Sequence, residues 1–180
     1  MQITVERPYV VESKPATEWL LGGPVQKVSP RYTHARLQTL LARLVSQWAI
    51  DRGRVGTEWR FWITPTGEAE RYLVPDVAFA SYERLPRDAG ESAEEPHLAP
   101  DVAIEIQSPS DRNIVITHKV DIYLRSGTRL VLIVDAASGT VTAHDTERVT
   151  VFTSPETFEH EMMPDFTFGL AELFTDPNIV

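Results

Sequence analysis

From Asp101 to Gln107 the chain alternates, with Val102, Ile104 and Ile106 on one face of a strand and Asp101, Ala103, Glu105 and Gln107 on the other. The apolar set is fit for burial, which leaves a carboxylate and an amide pointing the same way at the strand's carboxyl end. Ser108-Pro109-Ser110-Asp111 follows, and a Ser or Asp there caps a helix whose first turn carries Arg112 and Asn113. That helix is expected from Ile114 to Ser126, with Ile116, Val120, Tyr123 and Leu124 on one face and Gly127 as its C-cap. A strand feeding a helix at its carboxyl end is a common place for ligands in α/β proteins.

Upstream, Leu37, Leu40, Leu41, Leu44, Val45 and Trp48 recur at helical spacing and predict a long helix from about Tyr32 to Ile50. Before it, β-like pieces fall at Ile3 to Val5 and Tyr9 to Val11. A hairpin of Glu18 to Leu21 and Val25 to Val28 turns at Gly22-Gly23. After the helix the pattern predicts a loop over Asp51 to Gly56, an aromatic strand over Trp59 to Ile63, and a turn at Pro65-Thr66-Gly67-Glu68. A strand over Tyr72 to Ala80 sets Asp76, Ala78 and Ala80 opposite Val77 and Phe79. Pro75 cannot donate to a ladder, so Asp76 belongs near the start of the paired segment. Ser81 to Pro100 reads as a mobile surface excursion, Leu130 to Val134 as a strand buried on both sides, and Val141 to His144 and Val149 to Phe152 as further strands. Phe166, Phe168, Leu170, Leu173 and Phe174 read as a short closing helix. This order is α+β or mixed α/β and not a regular βαβ array.

The 180 residues are 42% hydrophobic and 24% charged, as expected of one globular domain over residues 1–180. There is no cysteine, which excludes disulfides, thiolate zinc sites and a Cys nucleophile. No signal-peptide pattern or membrane-length apolar run is seen, so a cytoplasmic protein without a membrane partner is expected. The net charge of −9 argues against a simple nucleic-acid-binding module, since phosphate binding is driven by Lys and Arg. It leaves room for a nuclease, whose carboxylates add negative charge and whose metal supplies the positive charge locally.

If the strands of Asp76 and Glu105 are neighbours, Asp76, Glu105, Gln107 and Lys119 can meet. Two carboxylates from adjacent strands are hard oxygen ligands suited to Mg²⁺ or Mn²⁺, and an ammonium nearby can orient or deprotonate a water. Plainer readings stand beside these: Asp76 as a turn residue, Glu105 as a solvated strand residue, Lys119 as a helix-surface lysine. Asp101 shares the Glu105 face and is an alternative ligand. His34 reads as a hydrogen-bonded structural residue, and His118 is a weaker candidate base than Lys119.

At these positions the chain resembles the PD-(D/E)XK nuclease superfamily, and more closely the Uma family (Uma-two type) of bacterial endonucleases. The resemblance rests on Leu73-Val74-Pro75-Asp76-Val77-Ala78, on Pro100 through Ser110, on Lys119, Tyr123 and Gly127, and on Leu132-Ile133-Val134-Asp135; it spans roughly Glu18 to Val151. It implies a restriction-endonuclease-like mixed β-sheet flanked by helices with an N-terminal β-hairpin. It also implies a metal-dependent DNA endonuclease with Asp76 and Glu105 as metal ligands. The superfamily's usual lysine position holds Gln107, while Lys119 matches a lysine of the family's following helix. Glu18 resembles a glutamate of the family's hairpin, and Gly22 stands where an acidic residue is common. Cutting both strands of a duplex would be simplest for a two-fold homodimer. The departure at Gln107 and the acidic charge keep a second reading open, a catalytically silent protein that uses the fold for interaction or DNA binding.

Overall fold

The computed structural model describes residues 9–108 and 113–177; the expected strand at Ile3 to Val5 and the Ser110 or Asp111 helix cap lie outside them. The organising element is a six-stranded mixed sheet. It is built from β3 (Gly53–Thr57), β6 (Val77–Ser81), β7 (Val102–Gln107), β8 (Leu130–Asp135), β9 (Thr140–His144) and β10 (Val149–Thr153), in the order β10-β9-β8-β7-β6-β3. Among the described residues only β7 and β8 run parallel, joined through α2 (Asn113–Arg125); the other pairings of this sheet are antiparallel. Short pairs flank it: β1 (Thr17–Leu20) with β2 (Gly23–Gln26), β4 (Phe61–Ile63) with β5 (Arg71–Leu73), and β11 (Thr157–Phe158) with β12 (Phe168–Gly169).

Alternation along the central strands sends apolar side chains to both faces, so the sheet carries two cores. On one face α1 (Tyr32–Trp48) buries Leu37, Leu41 and Val45, one turn apart, against Val77, Val102, Ile104 and Leu132. The closing α3 (Leu170–Phe174) and the stacked Phe158 and Phe168 complete that layer. On the other face Val120, Ile122 and Tyr123 of α2 meet Ala78, Ala103, Val131 and Ile133, together with Leu73 and Phe61 of the β4–β5 pair. Leu41→Ala would cost about 3 kcal/mol, as truncations of fully buried leucines do.

Several boundaries move for physical reasons. Asp51 to Gly56 is not a loop, because Gly53 to Thr57 pair with β6 at the sheet edge. Gly53 is there for close approach: a Cβ at that position would lie 2.2 Å from the Ala80 carbonyl oxygen. The strand expected over Tyr72 to Ala80 is two strands in different sheets, split at Val74-Pro75-Asp76 where proline removes the donor that continuity requires. The hairpin turns at Leu21-Gly22, one residue earlier than expected, and Tyr9 to Val11 form no strand. Residues 82–100 are tied down and not a free excursion. Arg54 donates to the carbonyls of Leu85, Pro86 and Arg87, Trp59 donates to those of Ala93 and Glu94, and a 3-10 turn covers Gly90–Ala93. Gly127 does end α2: with φ at +95° it lets Thr128 N–H reach the Tyr123 carbonyl at 3.0 Å. Among the described residues no helix is long and apolar enough to cross a membrane.

Candidate active site

The site is assembled from three acids on three elements. Glu18 comes from β1, Asp76 from the residue before β6, and Glu105 from β7. Val77 lies opposite Ile104 in the β6–β7 register, so the chain before β6 runs alongside Glu105 and Ile106. Because Pro75 breaks the strand, Asp76 can turn its carboxylate across the gap, where Oδ2 accepts the Ile106 amide at 2.7 Å. Glu105 is not solvated, nor are Asp76 and Lys119 surface residues: all three are buried, as is Glu18.

Lys119, two turns into α2, reaches back over β7. Its Nζ donates to Glu105 Oε2 at 2.6 Å and stands 3.0 Å from Glu18 Oε1. Tyr123, one turn later on the same helix face, donates its hydroxyl to Glu105 Oε1 at 3.0 Å. Glu18 Oε1 also accepts the Val74 amide at 2.9 Å, which ties the hairpin to the strand break. On the other side of Asp76, Lys27 Nζ donates to Asp76 Oδ1 at 2.7 Å and His34 Nε2 lies 3.2 Å from Oδ2. These groups line one cavity of about 240 Å³, to which Glu18, Lys27, His34, Asp76, Glu105 and Lys119 contribute.

Three carboxylates therefore share one cavity with two ammonium groups and the His34 ring. The imbalance is carried by Glu105: burial first, and then the charges of Glu18 and Asp76, push its carboxyl up to about 7 in spite of Lys119. Asp76 goes the other way. Burial opposes its ionisation, but the His34 hydrogen bond and the Lys27 and Lys119 charges hold it well below the usual carboxylate range. Burial would lower both lysines, and the surrounding carboxylates outweigh it and hold both ammonium groups protonated. His34 is raised by its hydrogen bond to Asp76.

Asp76, Glu105 and Lys119 thus come together, whereas Gln107 does not join them. It lines a neighbouring cavity of about 300 Å³ with Arg31, His34, Ser108 and Ala136, which shares His34, Ile106 and Ser108 with the first. Asp101 lies at the opposite end of β7, bound to the Ser81 amide at 2.7 Å and beside Arg84 and Arg129, and is no alternative to Asp76. His118 does not line the cavity; its Nε2 is buried with no hydrogen-bond partner among the described residues. Glu18 is part of the cluster, and Lys27 and Tyr123 join it without having been foreseen in this role. Lys27 meets Glu58 and Asp76 across 31 and 49 residues of sequence, a proximity no local pattern encodes.

The donor set fits a hard divalent cation. Among the described residues no three His, Cys, Asp or Glu side chains form a ready-made metal cage. Mg²⁺ ordinarily takes only one or two carboxylates and completes its shell with water and substrate phosphate. A cation already sits in such surroundings: the Lys27 ammonium is held by Asp76 Oδ1, the Val74 carbonyl and Glu58 Oε1 at 2.7, 2.9 and 2.9 Å.

A family model, Uma2, described as "Putative restriction endonuclease", matches residues 5–171. No curated protein matches the chain. Among solved structures, the chain is similar to a "putative nuclease belonging to DUF820" from Anabaena variabilis ATCC 29413. The TM-score is 0.78 at 24% identity, over 92% of this chain and 93% of that one. At that identity the likeness shows the shared fold: a mixed sheet flanked by helices, as the sequence resemblance implies.

Proposed function

Because the chain belongs to the Uma2 family of restriction-endonuclease-like proteins, we propose that it is a divalent-metal-dependent endonuclease hydrolysing DNA phosphodiester bonds at the Asp76, Glu105 and Lys119 cluster. The observation that carries the reading is the excess of buried carboxylate over ammonium in a cavity at the carboxyl end of β7. Asp76 and Glu105 would hold Mg²⁺ or Mn²⁺. When bound, such an ion lowers the pKa of a coordinated water and offsets charge on a scissile phosphate.

The chain's own groups have separable tasks in this reading. Asp76 stays ionised and is fixed by the Ile106 amide, so its free lone pairs keep one direction. Lys119 is protonated and already donates to Glu105, which suits it to orienting that carboxylate and contributing positive charge better than to accepting a proton. Tyr123 fixes the second Glu105 oxygen. Gln107, in the adjoining cavity, faces where substrate flanking the scissile bond would run. The acidic chain depends on the metal and these few cations for attraction to DNA. A two-fold dimer, each copy of residues 1–180 acting as one domain in the cytoplasm, would let both strands be cut.

Lys27 on Asp76 favours one competing reading, a silent site in which an ammonium permanently replaces the metal. Plasmid DNA incubated with Mg²⁺, Mn²⁺ or EDTA separates the two. Metal-dependent nicking, lost with EDTA and in Asp76→Asn, is the expected result; cleavage that survives EDTA overturns the mechanism, and no Mn²⁺ binding in calorimetry supports the silent site.

A further inference from the structure

Lys27 is the group whose position the proposed chemistry leaves unexplained. It directly follows β2, and its backbone is pinned by the Lys27 N–H to Ala16 carbonyl bond at 2.9 Å. The side chain is 12% exposed, and its Nζ contacts three oxygens: Asp76 Oδ1, the Val74 carbonyl and Glu58 Oε1. An ammonium has three N–H donors, so all of them are used, on a set of oxygens that would equally suit a metal ion. Lys27 also lines two spaces at once. One is the carboxylate cavity. The other is a groove of about 580 Å³ bounded by Ser13, Pro15, Ser29, Pro30, Gln38 and Glu58. Val28, His34 and Asp76 line both spaces as well, so the Lys27 side chain stands at the boundary between them, with its backbone fixed and the groove on its outer side.

We propose that Lys27 is a resident counter-cation that competes with the divalent ion for Asp76, and that metal binding drives its ammonium into the groove, where Glu58 retains it. The inference rests on the metal-dependent reading of the site. Charge counting favours exchange over joint occupancy. With His34 neutral and Glu58 counted with the groove it lines, Glu18, Asp76 and Glu105 carry three negative charges when ionised, and Lys27 and Lys119 leave the pocket at −3 + 2 = −1. Replacing Lys27 by a divalent ion gives −3 + 1 + 2 = 0, whereas adding the ion to both lysines gives −3 + 2 + 2 = +1 in a low-dielectric pocket. Glu58 can keep the ammonium after the exchange because its side chain is 41% exposed and lies on the groove side, where Gln38 Nε2 also donates to it at 3.1 Å. Lys119 has no such route, since it is buried between Glu105 and Glu18. The two lysines thus differ in kind: Lys119 is a permanent member of the site and Lys27 a displaceable one.

Mn²⁺ titration by calorimetry of wild type, Lys27→Met and Asp76→Asn tests this without any activity measurement. Lys27→Met keeps most of the aliphatic packing, and removing the competitor should tighten Mn²⁺ binding by about tenfold or more, as loss of one nearby like charge does in a poorly solvated site. Equal or weaker binding in Lys27→Met, with binding present in wild type and lost in Asp76→Asn, overturns the exchange while leaving the metal site standing. No binding in any of the three proteins overturns both. A second measurement uses the unaltered protein, so that a folding defect in the variant cannot hide the answer. Reductive methylation followed by peptide mass spectrometry should label Lys27 several-fold faster at saturating Mg²⁺ than without it, with Lys119 protected in both. A Lys27 rate unchanged by Mg²⁺ overturns the displacement.

Discussion

The two ends of β7 each bury a carboxylate, and they solve the problem oppositely. At the amino end Asp101 is the one buried acid: a backbone amide and the guanidiniums of Arg84 and Arg129 surround it, with the exposed Glu83 on the far side of Arg129, so its charge is matched and nothing further is needed. At the carboxyl end Glu105 shares its pocket with two more acids, and the two lysines fall one charge short. A buried charge is tolerated when paired, so Asp101 reads as a clasp between β6 and β7. The other end is left short of positive charge, a condition that stabilises nothing by itself and suits a site awaiting a cation. Burial alone does not separate the two, because both carboxylates are equally hidden; whether the neighbouring cations match the buried acids does.

The contrast can be broken most sharply by matched variants. Asp76→Asn and Glu105→Gln should reduce cleavage by about 10²- to 10³-fold or more, the range found for removing preorganised electrostatic groups, while Asp101→Asn should leave it within a few-fold of wild type. Supercoiled-plasmid nicking rates decide this, and comparable losses at both ends would erase the distinction. Lys119→Met should come next: stripping the ammonium from Glu105 and Glu18 leaves buried charge uncompensated, at a cost of about 3 kcal/mol read by urea unfolding.

A pH series sharpens the comparison further. Since the Glu105 carboxyl titrates near 7, Mn²⁺ must displace a proton below that pH, and affinity should fall by up to about tenfold for each pH unit descended from 7, with His34 adding to the trend. The stability effect has the opposite slope. Between the ordinary 4.5 and about 7 the folded state keeps the Glu105 proton that the unfolded chain has lost, so this group's contribution falls as pH rises through that window. Glu105→Gln should therefore melt closer to wild type at pH 5 and gain on it by pH 8; a parallel pair of melting curves would contradict the raised carboxyl. The smallest effect belongs to the clasp: Asp101→Asn should cost about 1 kcal/mol, with Mn²⁺ affinity unchanged.

What could be read in the sequence was whatever a single element encodes. The period-two pattern of Val102 to Gln107 located the strand and the face of Glu105, the stripe from Leu37 to Trp48 located α1, and Pro75 fixed Asp76 at a strand start. Alternation also set Gln107 on the Glu105 face, yet it lines the next cavity, because the strand ends there and the cavities divide around Ile106 and Ser108. Glycines misled where they serve packing, as at Gly53, whose missing Cβ makes room for a neighbouring strand. Lys27 was hidden for another reason, and Glu18 was reached only through the family resemblance: their partners are set by how the hairpin docks, which is a property of the tertiary fold.

The bridge from Lys119 to Glu18 closes a span of 119 − 18 = 101 residues, and the Val74 amide to Glu18 bond one of 56. Contacts of such separation carry a large loop-closure cost that must be met before they reward the chain. During synthesis Glu18 emerges early and Lys119 far later, so a growing chain carries the acids without their organiser. Any opening that lifts the hairpin from the sheet likewise takes Glu18 from both Val74 and Lys119 at once. If the cluster is the cutting site proposed above, competence to cut is bound to completion of the fold, and a half-folded copy would be disarmed by its own topology.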